Sequence, residues 1–174
     1  MTMKKNLFTD NPLVRRRLED ILPTIDLAGN TYTVDLESRA LKGEDNMVPL
    51  IDLDNLVLDK DGLNYLCFYH LPTKAPVIIG PNIISLPADT IYLKIPDERF
   101  LDPIGLARQY GMEDTALLEL YPIRADLKAE VIALEDSGLP ELIKINLAKK
   151  KARSSRITLV CNLFKKPGKK AKGI

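Results

Sequence analysis

The chain has 174 residues, 45% of them apolar and 28% charged, enough apolar material for a folded core and too much for a wholly disordered chain. No run reaches the ~18 apolar residues of a membrane span, Met1 to Pro12 lack the apolar centre of a secretion signal, and two cysteines make no disulfide framework. The sequence therefore reads as one cytoplasmic domain with no membrane association.

The net charge of +1 conceals a division. All 24 acidic residues lie at or before Glu141, so residues 1–148 carry 15 basic against 24 acidic groups and residues 149–174 carry ten basic groups and no acid. Such a split between body and tail is a physical signal. Like charges crowded together repel, and they gain by meeting an anionic surface and releasing its counterions.

In chain order, Asn11-Pro12 predicts the cap and first residue of a helix, with Val14, Leu18, Ile21 and Leu22 on its apolar face. Arg15-Arg16-Arg17 reads as the solvated side, with Arg15 and Arg16 spaced for pairing to Glu19 and Asp20. Alternating Ile25 and Leu27, then Tyr32, Val34 and Leu36, predict a hairpin turning at Gly29-Asn30. Residues 38–46 are polar and read as a loop. Short strands follow at Val48–Leu53, Leu56–Leu58, Leu63–His70, Pro76–Ile79, Ile83–Leu86 and Thr90–Ile95, separated by Asp, Gly and Pro turns.

Asp102-Pro103 opens a helix that Gly111 ends. Asp114 caps a second short helix stopped by Pro122, and Lys128 to Leu134 is a strand. Ser137 then caps a helix with Leu139, Leu142, Ile143 and Leu147 as its stripe. Ile157 to Phe164 has strand length and reads as a strand of the domain's own sheet in preference to one added to a partner. The expected fold is α+β: a mainly antiparallel sheet with three to four helices at one face or end. Residues 1–6 are a flexible N-terminus, 7–164 the domain and 165–174 a disordered polybasic tail. The expected core includes Leu18, Ile21, Val34, Leu36, Leu66, Phe68, Ile79, Leu93, Ile95, Leu106, Leu117, Val131, Leu142 and Ile143.

Catalytic patterns are sparse. The nine glycines are scattered and form no phosphate loop, and there is no Gly-x-Ser-x-Gly elbow. His70 is the one histidine. Cys67-x-x-His70 is half of a zinc pattern, with Cys161 the only other thiol, and positions three apart on a strand face opposite ways. Asp52, Asp54, Asp59 and Asp61 could hold Mg²⁺ or Ca²⁺, but Asp-x-Asp-Gly is also ordinary hairpin chemistry. Leu106-Ala107, Gly111, Leu117 and Leu120 have the spacing of a helix-turn-helix, although Glu113, Asp114 and Glu119 would repel a phosphate-lined groove.

The leading expectation is a non-enzymatic interaction module without a cofactor or metal. Its acidic body would meet a protein partner or its own copy. Its basic arm, Lys149, Lys150, Lys151, Arg153, Arg156, Lys165, Lys166, Lys169, Lys170 and Lys172, would contact nucleic-acid phosphates without reading bases. Against this stands an arm that folds back onto the acidic body. The alternatives in function are a metal-assisted enzyme built on Asp52, Asp54, Asp59, Asp61 and His70, and a helix-turn-helix regulator over residues 102–121.

Overall fold

Two antiparallel sheets share one core. The computed structural model describes residues 8, 10–45 and 48–163, with side chains through residue 154; the expected flexible N-terminus 1–6 and the polybasic tail 165–174 lie outside them. Helix α1 (Pro12–Leu18) begins as its sequence predicts, with Asn11 Oδ1 accepting from the Leu13 amide at 2.9 Å. Strands β1 (Thr24–Leu27), β2 (Asn30–Asp35), β3 (Ala40–Gly43) and β4 (Ile51–Asp52) form the first sheet in sequential order. Strands β5 (Val57–Leu58), β6 (Asn64–His70), β8 (Thr90–Pro96) and β9 (Glu130–Ile132) form the second, with β7 (Ala75–Val77) also paired to β6. Helices α2 (Glu98–Leu101), α3 (Pro103–Gln109) and α4 (Leu139–Leu163) complete the α+β fold.

Several expected elements differ. The first hairpin turns one residue earlier, at Ala28-Gly29, because Leu27 pairs with Asn30. Ala28 and Gly29 both hold positive φ, +52° and +85°, the requirement of a tight primed turn, and Gly29 N donates to Asp26 Oδ1 at 2.6 Å. The polar stretch 38–46 contains β3, whose Ala40 and Leu41 are buried. Val48–Leu53 shrinks to the two residues of β4, followed by a 3₁₀ turn at Leu53–Asn55. Ile83–Leu86 forms no strand; Asn146 Nδ2 bonds the Pro81 and Ile83 carbonyls there, each at 2.8 Å.

The sheets meet face to face through Ile25, Leu27, Tyr32, Val34, Leu41 and Ile51 on one side and Tyr65, Cys67, Tyr69, Leu93 and Ile95 on the other. The hydroxyls of Tyr32 and Tyr69 join across the interior at 2.9 Å, and Tyr32 donates onward to the Lys74 carbonyl at 2.8 Å. Both phenols are thereby buried with partners, and burial raises both their pKa values. One seam is stitched by backbone: Asp26 N donates to the Leu127 carbonyl and Ala129 N to the Asp26 carbonyl, both at 2.9 Å, just before the chain enters β9.

The inward face of β6 differs from expectation. Tyr65, Cys67 and Tyr69 point into the core, and Leu66 and Phe68 lie half-buried on the outer face. Both alternating sets are largely apolar, so periodicity alone could not choose between them. Val131 on β9 is exposed, as is Ile21, because α1 stops at Leu18 and Asp20 turns the chain at a φ of +62°. Leu18, Ile79, Leu117, Leu142 and Ile143 are half-buried, while Val34, Leu36, Leu93, Ile95 and Leu106 are buried as expected.

The arginine triplet is not uniformly solvated. Arg17 follows Val14 by three positions and shares its inward face; its side chain is 9% exposed and pairs with Asp102, which is 1% exposed. Arg17 Nε lies 3.1 and 3.0 Å from the two Asp102 oxygens. Asp102 Oδ1 also caps α3 by accepting from Gly105 N at 2.9 Å. A Cβ at Gly105 would stand 2.1 Å from Asp102 Oδ2 and 3.2 Å from the Arg17 guanidinium, so the missing side chain makes room for the pair. Arg15 meets Asp10 at 3.7 Å.

Two outcomes follow. Arg17→Met leaves the Asp102 carboxylate buried without its counter-charge and should cost about 3–5 kcal/mol, read as a lower urea midpoint; an unchanged midpoint would show that the pair does not hold α1 to α3. Lys42 hydrogen-bonds Asp35 and lowers its pKa to about 2. The stability from this pair is therefore present above the ordinary carboxylate pKa and lost as pH falls toward 2. Lys42→Met should flatten stability against pH across that acid window in chemical-denaturation curves.

Candidate interaction site

The long C-terminal helix is held at its start and leaves the body afterwards. Gly138 adopts a φ of +80° before it, and the Ser137 hydroxyl accepts from Leu139 N at 3.3 Å. Leu139 is buried, Leu142 and Ile143 are half-buried, and Asn146 ties the second turn to the 81–83 loop. From Leu147 to Ser154 every side chain is exposed. Lys149, Lys150, Lys151 and Arg153 stand on this stretch, and the backbone of Arg156 continues the helix. Lys165, Lys166, Lys169, Lys170 and Lys172 lie outside the described residues.

Among the described residues, Lys149, Lys150 and Arg153 enter no ion pair with the acidic body. Lys149 and Arg153, four positions apart, share a helical face, where like charges are mutually unfavourable. Segment 157–163, expected as a strand, is helical. Short apolar runs do not distinguish strand from helix by periodicity. Here the helix enters the run through residues 148–156, which are mostly Ala, Lys and Arg and hold no Gly or Pro to stop it.

Three of the four aspartates singled out as metal candidates are engaged locally. Asp52 caps the 3₁₀ turn by accepting from Asp54 N and Asn55 Nδ2, each at 2.9 Å. Asp54 pairs with Arg39 at 2.5 Å. Asp59 accepts from Leu63 N at 2.9 Å and Asn64 Nδ2 at 2.8 Å, and the Asn64 bond holds its carboxyl below the usual range. Gly62 turns the hairpin at a φ of +66°. His70 Nδ1 sits 2.9 Å from Thr73 Oγ1. Among the described residues no three of His, Cys, Asp and Glu converge as metal ligands. The spacing Asp52 to Asp61 thus serves turns and an ion pair.

The expected second helix of the helix-turn-helix is also absent. Residues 114–120 are a chain of turns, with Ala116 N bonding the Glu113 carbonyl, Leu118 N that of Thr115, and Leu120 N that of Leu117. Leu118 is buried against Val14 and Ile104, so this segment is packing material and presents no reading helix. Arg108 binds Asp114 through two bonds, 3.1 and 2.9 Å, and Asp20 at 2.7 Å, holding the Asp114 carboxyl low.

Beside these groups a cleft of about 620 Å³ opens between α1, β2 and α3, lined by Arg17, Asp20, Asp35, Glu37, Arg108 and Gln109. Its two arginines already face carboxylates, so the cleft offers no uncompensated cation to an anionic ligand. Sequence reasoning missed Arg17, although its three-residue spacing from Val14 was a usable signal. The chain matches no protein-family model, curated protein or solved structure. No described helix is long and apolar enough to cross a membrane.

Cys67 lies between the sheets, and burial pushes its thiol pKa up to about 12, leaving it protonated at neutral pH. In a Cys161→Ser background, Cys67 should resist alkylation by iodoacetamide at pH 8 and react once the chain is unfolded in urea, as read by mass spectrometry. Rapid modification of the folded chain would contradict the enclosed position.

Proposed function

We propose that this protein is a non-enzymatic interaction module whose basic C-terminal helix contacts the phosphates of a nucleic acid without base readout. The observation that carries the reading is that Lys149, Lys150 and Arg153 project on a helix leaving an acidic body. Cations held away from their own carboxylates retain their attraction for an outside polyanion. The exposed stretch 147–154 contains no aromatic residue, so it offers charge and no stacking platform for bases. Neutralising the like-charged neighbours on one helical face also relieves their repulsion, so binding should favour the helix.

The chemistry is neutralisation. If ~5 of the ten basic groups meet phosphates, log K against log salt should fall with a slope near −4.5 on duplex DNA. Replacing Lys149, Lys150 and Arg153 with Gln should reduce the slope by about 2.7 in magnitude, and by similar amounts on unrelated sequences. Fluorescence anisotropy on two duplexes across a salt series measures both. Absence of binding at low salt, or binding that does not vary with salt, would remove the proposal.

A further inference from the structure

The outer face of the second sheet is apolar and open. Leu50, Val57, Leu66, Phe68, Ile78 and Tyr92 line a groove of about 760 Å³ there. Phe68 and Tyr92 stack across β6 and β8 with ring centroids 4.8 Å apart. Val57 is 68% and Ile78 99% exposed. Isolated apolar side chains on a surface mean little, but a lined concavity of contiguous ones marks a docking site.

The same chain carries an element of matching character. Helix α4 runs on for 17 residues beyond Asn146, about 25 Å of helix. Its last seven positions are Ile157, Thr158, Leu159, Val160, Cys161, Asn162 and Leu163. A helix that is apolar around most of its circumference is stable in water only against a partner surface. Its exposed course from Leu147 carries it off its own body.

We propose that the groove receives the apolar end of α4 from a second copy of this chain, so that two copies exchange helices reciprocally. Charge argues for this occupant. The five cations Lys149 to Arg156 immediately precede the apolar segment. Asp52 is exposed in the groove wall, and exposed Asp61 lies on the turn between β5 and β6. These are carboxylates for which the proposed function has no use. Residues 147–154 are exposed along their whole course, so the basic stretch is turned away from its own body and open to the rim of a second copy. An exchange in which each copy supplies one helix and one groove closes on itself as a two-fold dimer. The inference goes beyond the polyanion reading and does not need it, although it uses the same basic stretch beside residues 157–163 and the groove.

Sedimentation equilibrium of the full chain should give twice the 19.5 kDa chain mass. Ile78→Asp alters the groove at a fully exposed position, and Val160→Asp alters the helix end. Each should yield a monomer whose thermal transition still shows a folded body. Mixing the two variants should restore a 1:1 complex, because the intact helix of the first meets the intact groove of the second. Anisotropy on duplex DNA, run in parallel, reads the polyanion proposal separately. A wild-type monomer at 100 µM, a dimer that survives both substitutions, or a mixture that stays monomeric would overturn the exchange. So would a monomer that binds phosphatidylserine vesicles through residues 157–163, which would make a lipid surface the occupant.

Discussion

The bonds of Asp102 join helix α1 to helix α3. One carboxylate, removed from water, closes the first turn of α3 through the Gly105 amide and neutralises Arg17 on α1. A charge so deeply enclosed is tolerable only when its lone pairs are filled. Here a backbone amide and a guanidinium fill them, and the guanidinium reaches in because position 105 has no Cβ. The consequence extends outward. With α1 and α3 fixed, Val14, Ile104 and Leu118 gather into a second small core, and Arg108 is placed to gather Asp20 and Asp114. The segment after α3 is consequently consumed by packing.

The body is otherwise arranged to satisfy its polar groups internally. Tyr32 and Tyr69 bridge the sheets, Asp52 and Asp59 close turns, and Arg39 links Asp54 to Glu98. No buried side-chain nitrogen or oxygen among the described residues lacks a partner. Two surfaces among the described residues stay outward-looking: the cations of α4 and the apolar outer face of the second sheet. Both are surfaces whose free energy falls when something covers them, one by electrostatics and the other by exclusion of water. In the two readings proposed above, function rests on the C-terminal helix and on one sheet face, with the first sheet and the short helices serving as frame.

Much of the frame was legible. Asn11-Pro12 and Asp102-Pro103 marked helix starts because a capping side chain and a fixed φ act within three residues. Strands β6 and β8 appeared where expected because β-branched and aromatic residues were bounded by turn formers. The candidate site was legible as charge and illegible as shape. The basic arm could be counted, yet the periodicity of the short apolar run 157–163 did not separate helix from strand, and nothing local indicated that a groove would open beside Phe68.

By itself the sequence determined the α+β character, the caps at Asn11 and Asp102, and the separation of acidic from basic chain, since each depends on residues near one another along the polymer. Only the tertiary structure decided that Arg17 would turn inward, that Tyr65, Cys67 and Tyr69 would face the core in place of Leu66 and Phe68, and that residues 114–120 would coil into turns. Those choices depend on which distant surface arrives to remove water from a given face. Asp102 is 85 residues from Arg17, a separation at which no local pattern records the meeting.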